Sequence, residues 1–331
     1  MNPLPVLPIG LYRAVFTCAN KSNHKSNLIP RFTEFPGNAW RGALGYALHH
    51  AVCVTRQPEC ATCMLYRACL YPYFWETPPP IGTEKMRKYP NAPHPFILNP
   101  NESNPAIVSF SLIGHANQHL PVFIHALTQA AAAPRGISGN VLQLVQVEQS
   151  TQLDGDWHTI YLPNGKGVAT LATLPAQNPE VPPTPADCSL DIQTPLRVKR
   201  DGRPARPRDF TFADLFGNLL RRLSMLTYFH TDTPLETDFK TLMEQARKVT
   251  AHTQLTWQEQ TRYSKRQESA IQLGGVIGNI HLSGTDLSPF WPYLWLGQYT
   301  HAGSSATMGM GRYRIHPSSP ASLQPPEVAP H

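Results

Sequence analysis

Four cysteines fall in one short stretch, Cys53, Cys60, Cys63 and Cys69, with the spacing C-x6-C-x2-C-x5-C. Thiolates at such separations close a tetrahedral shell around one zinc ion, and in a reducing compartment they do not form a disulfide framework. Four protein ligands leave no open position for water, so the role of that Zn2+ is structural. An iron–sulfur cluster and unliganded thiols are the other readings the spacing permits. Cys18 and Cys188 stand alone and read as packing residues.

A second constellation is the glycine-spaced run GQYTHAGSSATMGMGRYRI, residues 297–315. Gly303, Gly309 and Gly311 take backbone angles closed to other residues, so successive amides can turn outward into an anion-binding concavity. Ser304, Ser305 and Thr307 add hydroxyl donors, and Arg312 and Arg314 add charge. A tight helix-to-strand connection is the plainer alternative. Basic side chains also gather in RVKRDGRPARPR, where Arg197, Lys199, Arg200, Arg203, Arg206 and Arg208 face the single acid Asp201. Pro204 and Pro207 stiffen that segment and lower the entropy lost on docking, although a solvated loop has the same composition. In TRYSKRQ, strand alternation sets Arg262 and Arg266 on one face and Tyr263 on the other, one for phosphate and one for stacking on an exposed base. With Arg41 these form the expected RNA-binding set: Arg41, Arg197, Lys199, Arg200, Arg262, Tyr263, Arg266, Gly303, Ser304, Ser305, Gly309, Gly311 and Arg312.

Proton transfer near neutral pH calls for imidazole. His49 and His50 end an amphipathic helix, where the carbonyl end of the helix favours the charged ring, and Tyr46 lies one turn before them. His301 opens the glycine-spaced run, and His24 sits between Lys21 and Lys25 in a polar loop. His49, His50, His301 and Tyr46 are the catalytic candidates, each with a packing or surface role as its plain alternative. No cluster of Asp and Glu suited to a two-metal nuclease is visible in the sequence.

The elements that must position these groups repeat one order. In the first half a strand at 9–17 precedes a helix carrying Trp40, Ala43, Leu44, Ala47, Leu48 and Ala51 at helical spacing, with Asn38 placed to cap it. Strands at 95–98 and 106–113, a helix at 119–133 and a strand at 141–149 follow. In the second half a strand at 189–198 leads to a helix with Phe212, Leu215, Phe216, Leu219, Leu220 and Leu223 on one face, with Thr211 and Asp214 as a capping pair. A shorter helix at 235–249, strands near 255–263 and 271–282, a helix near 288–297 and a last strand at 312–316 complete it. Each half reads βαββαβ, an α+β protein of two tandem ferredoxin-like (RRM-like) domains whose sheets leave one face open for a ligand. The boundaries are 1–165 for the first domain, with the Cys-rich insertion at 53–76, a Pro/Ala/Thr-rich linker at 166–187, 188–316 for the second domain, and a disordered tail at 317–331.

A chain of 331 residues suffices for two such cores, and 34 prolines punctuate the connections between elements. The formal charge of +6 suits a polyanionic partner. No signal-peptide pattern and no long uncharged apolar run is present, which predicts a cytoplasmic protein without membrane contact.

WRGALGYAL, the cysteine run ending in CLYPYFWET, YPNAPHPFIL, TPLR, RYSKRQ with its following LGGVIG, and HAGSSATMGMGRY occur in that order. Together they resemble the CRISPR repeat-processing endoribonucleases of the RAMP superfamily, over most of the chain. The resemblance implies metal-independent cutting of precursor CRISPR RNA within repeats, by attack of a ribose 2'-hydroxyl on the adjacent phosphate. The products would be a 2',3'-cyclic phosphate and a 5'-hydroxyl, and the resemblance leaves room for the mature crRNA to stay bound. It also places the histidine in the first domain. Two positions depart from the pattern, Ser304 where a lysine is common and Tyr46 where a histidine often sits. A non-catalytic crRNA-binding subunit of a CRISPR effector complex, in contact with other subunits, shares every binding feature. A zinc-stabilised protein-interaction module is the reading from a different class.

Overall fold

The computed structural model describes residues 4–18, 35–85, 91–101, 104, 106–164, 167–170, 172–264 and 269–317. The first domain comprises β1 (Ile9–Cys18), α1 (Pro36–Val52), β2 (Phe96–Pro100), β3 (Ile107–Ile113), α2 (Leu120–Ala132), β4 (Leu142–Ser150), β5 (His158–Asn164) and β6 (Gly167–Thr170). Its sheet runs β2-β3-β1-β4-β5-β6, every pairing antiparallel. The second comprises β7 (Cys188–Leu196), β8 (Lys199–Arg200), β9 (Arg203–Pro204), α3 (Phe212–His230), α4 (Phe239–Ala246), β10 (Ala251–Gln258), β11 (Thr261–Ser264), β12 (Ser269–Gln272), β13 (Gly275–Leu282), α5 (Trp291–Thr300) and β14 (Tyr313–Pro317). Its main sheet runs β10-β13-β7-β14. In both domains the third of the four framework strands lies between the second and the first, and the fourth lies on the other side of the first. That is the ferredoxin-like order, twice.

Side-chain alternation explains how one strand serves two cores. Tyr12, Ala14 and Phe16 of β1 point into a cluster with Trp40 and Leu44 of α1 and Phe123 and Leu127 of α2. Ile9 and Leu11, one step out of phase, pack with Ile97 and Ile113 into the cluster that holds Leu190, Phe216, Leu219 and Trp291 of the second domain. The face of the first sheet expected to stay open is therefore covered at this end by the second domain, because apolar residues on that parity gain by burial against it. The joint is close. A Cβ on Gly114 would lie 1.8 Å from the His230 carbonyl oxygen, and His230 donates from Nε2 to the Pro93 carbonyl at 2.7 Å.

Several boundaries differ from the sequence reading. Helix α1 starts on Pro36, whose fixed φ suits a first helical residue, so Phe35 rather than Asn38 occupies the cap position and makes no side-chain cap. The segment expected as linker begins inside the sheet: β6 pairs with β5, Leu174 exchanges two hydrogen bonds with the Gln149 side chain, and Gln177 bridges to Ile9. Pro317 belongs to β14, and the rest of the expected tail lies outside the described residues. The basic segment after β7 folds into the hairpin β8–β9, turning on Asp201 and Gly202, both at positive φ. Among the described residues no helix is long and apolar enough to cross a membrane.

Candidate RNA-binding groove

A groove of about 420 Å3 opens where the two domains meet. It is lined by Arg41 of α1, Asn91 to His94 ahead of β2, Asn218, Arg221, Arg222 and Met225 of α3, and Gly303 to Met308 of the glycine-spaced loop. Missing side chains make the approach possible. A Cβ on Gly37 would stand 1.8 Å from the Met308 carbonyl oxygen, so glycine lets the first turn of α1 lie on the loop. One on Gly45 would stand 2.2 Å from the Trp75 ring, and glycine lets that indole lie along α1, where it carries the Arg41 guanidinium at 4.4 Å. Arg41 also donates from Nε to Thr307 Oγ1 at 3.1 Å.

The loop presents side chains more than amides. The expectation of an outward row of backbone donors does not hold for most of it. The amides of Ala302, Ser304 and Gly311 are bound to the carbonyls of Gly311, Arg197 and Pro195, Gly303 N–H donates to Asn218 Oδ1, and Arg312 N–H donates to Thr194 Oγ1. These bonds hold the loop in shape at the cost of left-handed backbone at His301 and Ser305, which are not glycines. Thr194 Oγ1 in turn donates to the Gly309 carbonyl, and Arg312 reaches Asn99 Oδ1 across the domain joint at 2.8 Å. Gly309 and Gly311 are thus buried framework, and Arg312 braces the domains.

The charge of the groove is set by α3. Arg222 donates from Nε to the Thr300 carbonyl at 2.9 Å, while its Nη2 is buried without a hydrogen-bond partner among the described residues. Burial pulls that guanidinium down to about 10. His94 accepts from or donates to Thr77 Oγ1 through Nδ1 at 2.7 Å, and burial, then the charges of Arg41, Arg222 and His230, push its ring down to about 3. It stands neutral at the groove wall at neutral pH.

The four candidates for proton transfer lie elsewhere. Tyr46 is 75% exposed on the outer face of α1 with His50 beside it, and His49 packs edge-on against Tyr71 at 4.7 Å. His301 is enclosed, donating from Nδ1 to the Met310 carbonyl, and burial pushes its ring down to about 3, so it supports the loop from within. Of the expected RNA-binding set the groove gathers Arg41, Gly303, Ser304 and Ser305. Arg197 donates to the Gly274 carbonyl and Arg200 is bound to Asp214, while Lys199 is exposed on the hairpin. Arg262 and Tyr263 lie on β11, which pairs with β12, and Arg266 lies outside the described residues. The sequence reading missed Arg221, Arg222, Asn218 and His94. Two adjacent arginines on a helix read for its apolar face were the available signal.

Two tandem ferredoxin-like domains thus meet at a basic groove. Residues 190–313 match the family model for CRISPR-associated endoribonuclease Cas6, and residues 17–173 match a family model described as an N-terminal domain. The Cas6 endoribonuclease match falls within the second domain. The Cas6 protein TTHB231, solved as a product complex, has the same fold with a TM-score of 0.53 at 15% identity, over 93% of this chain and 100% of that one. Thermus thermophilus Cas6 (TTHB231) gives 0.48 at 14% identity over 94% and 99%, and an RAMP protein binding different RNA substrates gives 0.41 at 12% over 93% and 99%. No curated protein matches the chain.

Proposed function

We propose that this chain cuts precursor CRISPR RNA within its repeats without a catalytic metal, and that the scissile phosphate lies in the groove between the domains. In this reaction the ribose 2'-oxygen forms a bond to the adjacent phosphorus and the bond to the 5'-oxygen breaks. The 2'-hydroxyl proton leaves to a base, and a proton is supplied to the departing oxygen. A 2',3'-cyclic phosphate and a 5'-hydroxyl result.

The observation that carries this reading is Arg222, with a buried Nη2 that lacks a partner among the described residues, in a groove it shares with Arg41 and Arg221. A desolvated guanidinium held by its own Nε bond costs little to reorganise and is matched to a phosphorane, which carries more negative charge than the ground-state phosphate. Ser304, Ser305 and Thr307 supply hydroxyls along the same wall. His94 is the imidazole the groove itself offers. Burial chiefly, and the Arg41 and Arg222 charges after it, hold this ring neutral; a bound phosphate offsets those charges, so its proton affinity rises when substrate is present. His49 and His50, with Tyr46, serve only if the RNA path continues past the end of α1. The exposed Lys199 extends the basic surface for the rest of the repeat, and the processed RNA links the chain to other subunits of a CRISPR complex.

That none of the four nominated groups lines the groove favours one second reading, a crRNA-binding subunit that does not cut. End-labelled repeat RNA incubated in EDTA distinguishes the two. One discrete cut ending in a cyclic phosphate, abolished by a 2'-deoxy nucleotide at that position, is expected. Salt-sensitive binding without cutting would establish the binding subunit, and cutting that needs added Mg2+ would overturn the metal-free mechanism.

A further inference from the structure

Not one residue from Cys53 to Tyr71 is buried. Val54 is 78% exposed, Met64 89% and Leu65 37%, so the apolar side chains of this insertion turn to solvent instead of packing under it. A segment of that length with no core of its own needs another tether. Yet its backbone is ordered turn by turn: Cys53 N–H closes the end of α1 on the His49 carbonyl, Cys63 N–H closes a 3-10 turn on Cys60, and Cys69 N–H bonds back to Leu65. All four cysteines are free thiols of intermediate exposure, and Cys60 and Cys63 lie between exposed neighbours. They line one small cavity of about 20 Å3 together with His49 and Tyr71. Such a volume is about that of a single water-sized sphere. Thr55 Oγ1 lies 3.3 Å from the Cys63 sulfur, placed to donate to a thiolate. Among the described residues no three His, Cys, Asp or Glu side chains form a group set to hold a metal ion, so the sulfurs must draw together to ligate one.

We infer that Cys53, Cys60, Cys63 and Cys69 close around one zinc ion, which replaces the missing core of the insertion and pins the end of α1 to the aromatic turn that follows. Each thiol gives up its proton to solvent on ligation, and four sulfurs at about 2.3 Å complete a tetrahedral shell with no place for water. The consequence reaches the groove through packing. Residues 72–76, which follow the last cysteine, carry Trp75, stacked on Phe96 and lying under Arg41. The metal is independent of the proposed cleavage chemistry: it holds the support of Arg41 and takes no part in bond breaking.

The test uses the full chain, purified without chelator or metal-affinity tag. Elemental analysis is expected to give about one zinc per chain, and titrating the thiols with a mercurial should release it into a colorimetric indicator. Cys60→Ser with Cys63→Ser should lose the metal and gain protease cleavage between residues 53 and 71, while Cys18→Ser keeps both properties of the parent. Zinc below about half an equivalent, iron with visible absorption, or full zinc retention in the double variant would each overturn the inference. Should the double variant fail to accumulate, the mercurial titration of the parent still decides it: thiols that react without releasing zinc refute the site.

Discussion

Two buried histidines make stability fall steeply in mild acid. His230 and His301 are 1% and 4% exposed, and burial pulls their rings down to about 4 and about 3. In the unfolded chain each titrates near the ordinary imidazole value of about 6.5. The folded values are depressed, so between the two values the unfolded state binds protons that the native state refuses, and stability falls as pH falls. At pH 5 each ring has lost about 1.5 pH units of that difference, or about 2 kcal/mol at roughly 1.4 kcal/mol per unit. Together they remove about 4 kcal/mol, and His94, whose ring is likewise held down to about 3, adds a similar loss, against a total of about 5–15 for an ordinary domain. Urea unfolding followed by tryptophan fluorescence at pH 7.5, 6 and 5 should show the midpoint dropping, mostly below pH 6.5. In His230→Asn and His301→Gln, each less stable at neutral pH, the pH dependence should flatten by about 2 kcal/mol per site. A midpoint unchanged from pH 7.5 to 5 in the parent would refute the argument that these rings are held neutral.

Gly37→Val should push the Met308 carbonyl away from α1, costing about 1–3 kcal/mol as overpacking does, read as a lowered thermal midpoint with weaker RNA binding. Arg41→Ala removes a groove cation and the partner of Trp75 at once, so RNA affinity should fall and its log–log salt slope should flatten by about 0.7–0.9 for one lost phosphate contact. An unchanged slope would move Arg41 out of the binding surface. His94→Ala should slow cutting by about 10² to 10⁴ if the ring transfers a proton, while repeat RNA still binds. Equal losses in binding and cutting would make it a structural residue.

The framework was legible because its signals are local. The apolar face of α3 and its Thr211–Asp214 capping pair are present in the structure as read, with reciprocal hydrogen bonds between cap and third residue. The period-two pattern of β1 likewise identifies a strand, but the pattern is silent on what covers each side. Ile9 and Leu11 turn out to complete the other domain's core, a pairing set by tertiary packing across the joint. The groove was half legible for the same reason. Arg41 and the glycine-spaced loop stand out by composition, whereas Arg222 matters because α3 buries one end of its guanidinium beside the loop, 78 residues away from its Thr300 partner. The nominated histidines show the same limit from the other side. The end of a helix does favour an imidazolium, but α1 directs Tyr46 and His50 to solvent and His49 to the cysteine cavity.

The central claim is that the groove arginines hold the phosphate that reacts, and single-turnover cleavage by Arg222→Gln tests it most directly. Repeat RNA is saturated with enzyme in EDTA, and the cutting rate is compared with the affinity for RNA carrying a 2'-deoxy nucleotide at the cut. Loss of one preorganised donor to transition-state charge predicts a rate lower by about 10² to 10³, with affinity changed far less. A variant that folds, binds and cuts at the rate of the parent would contradict the account.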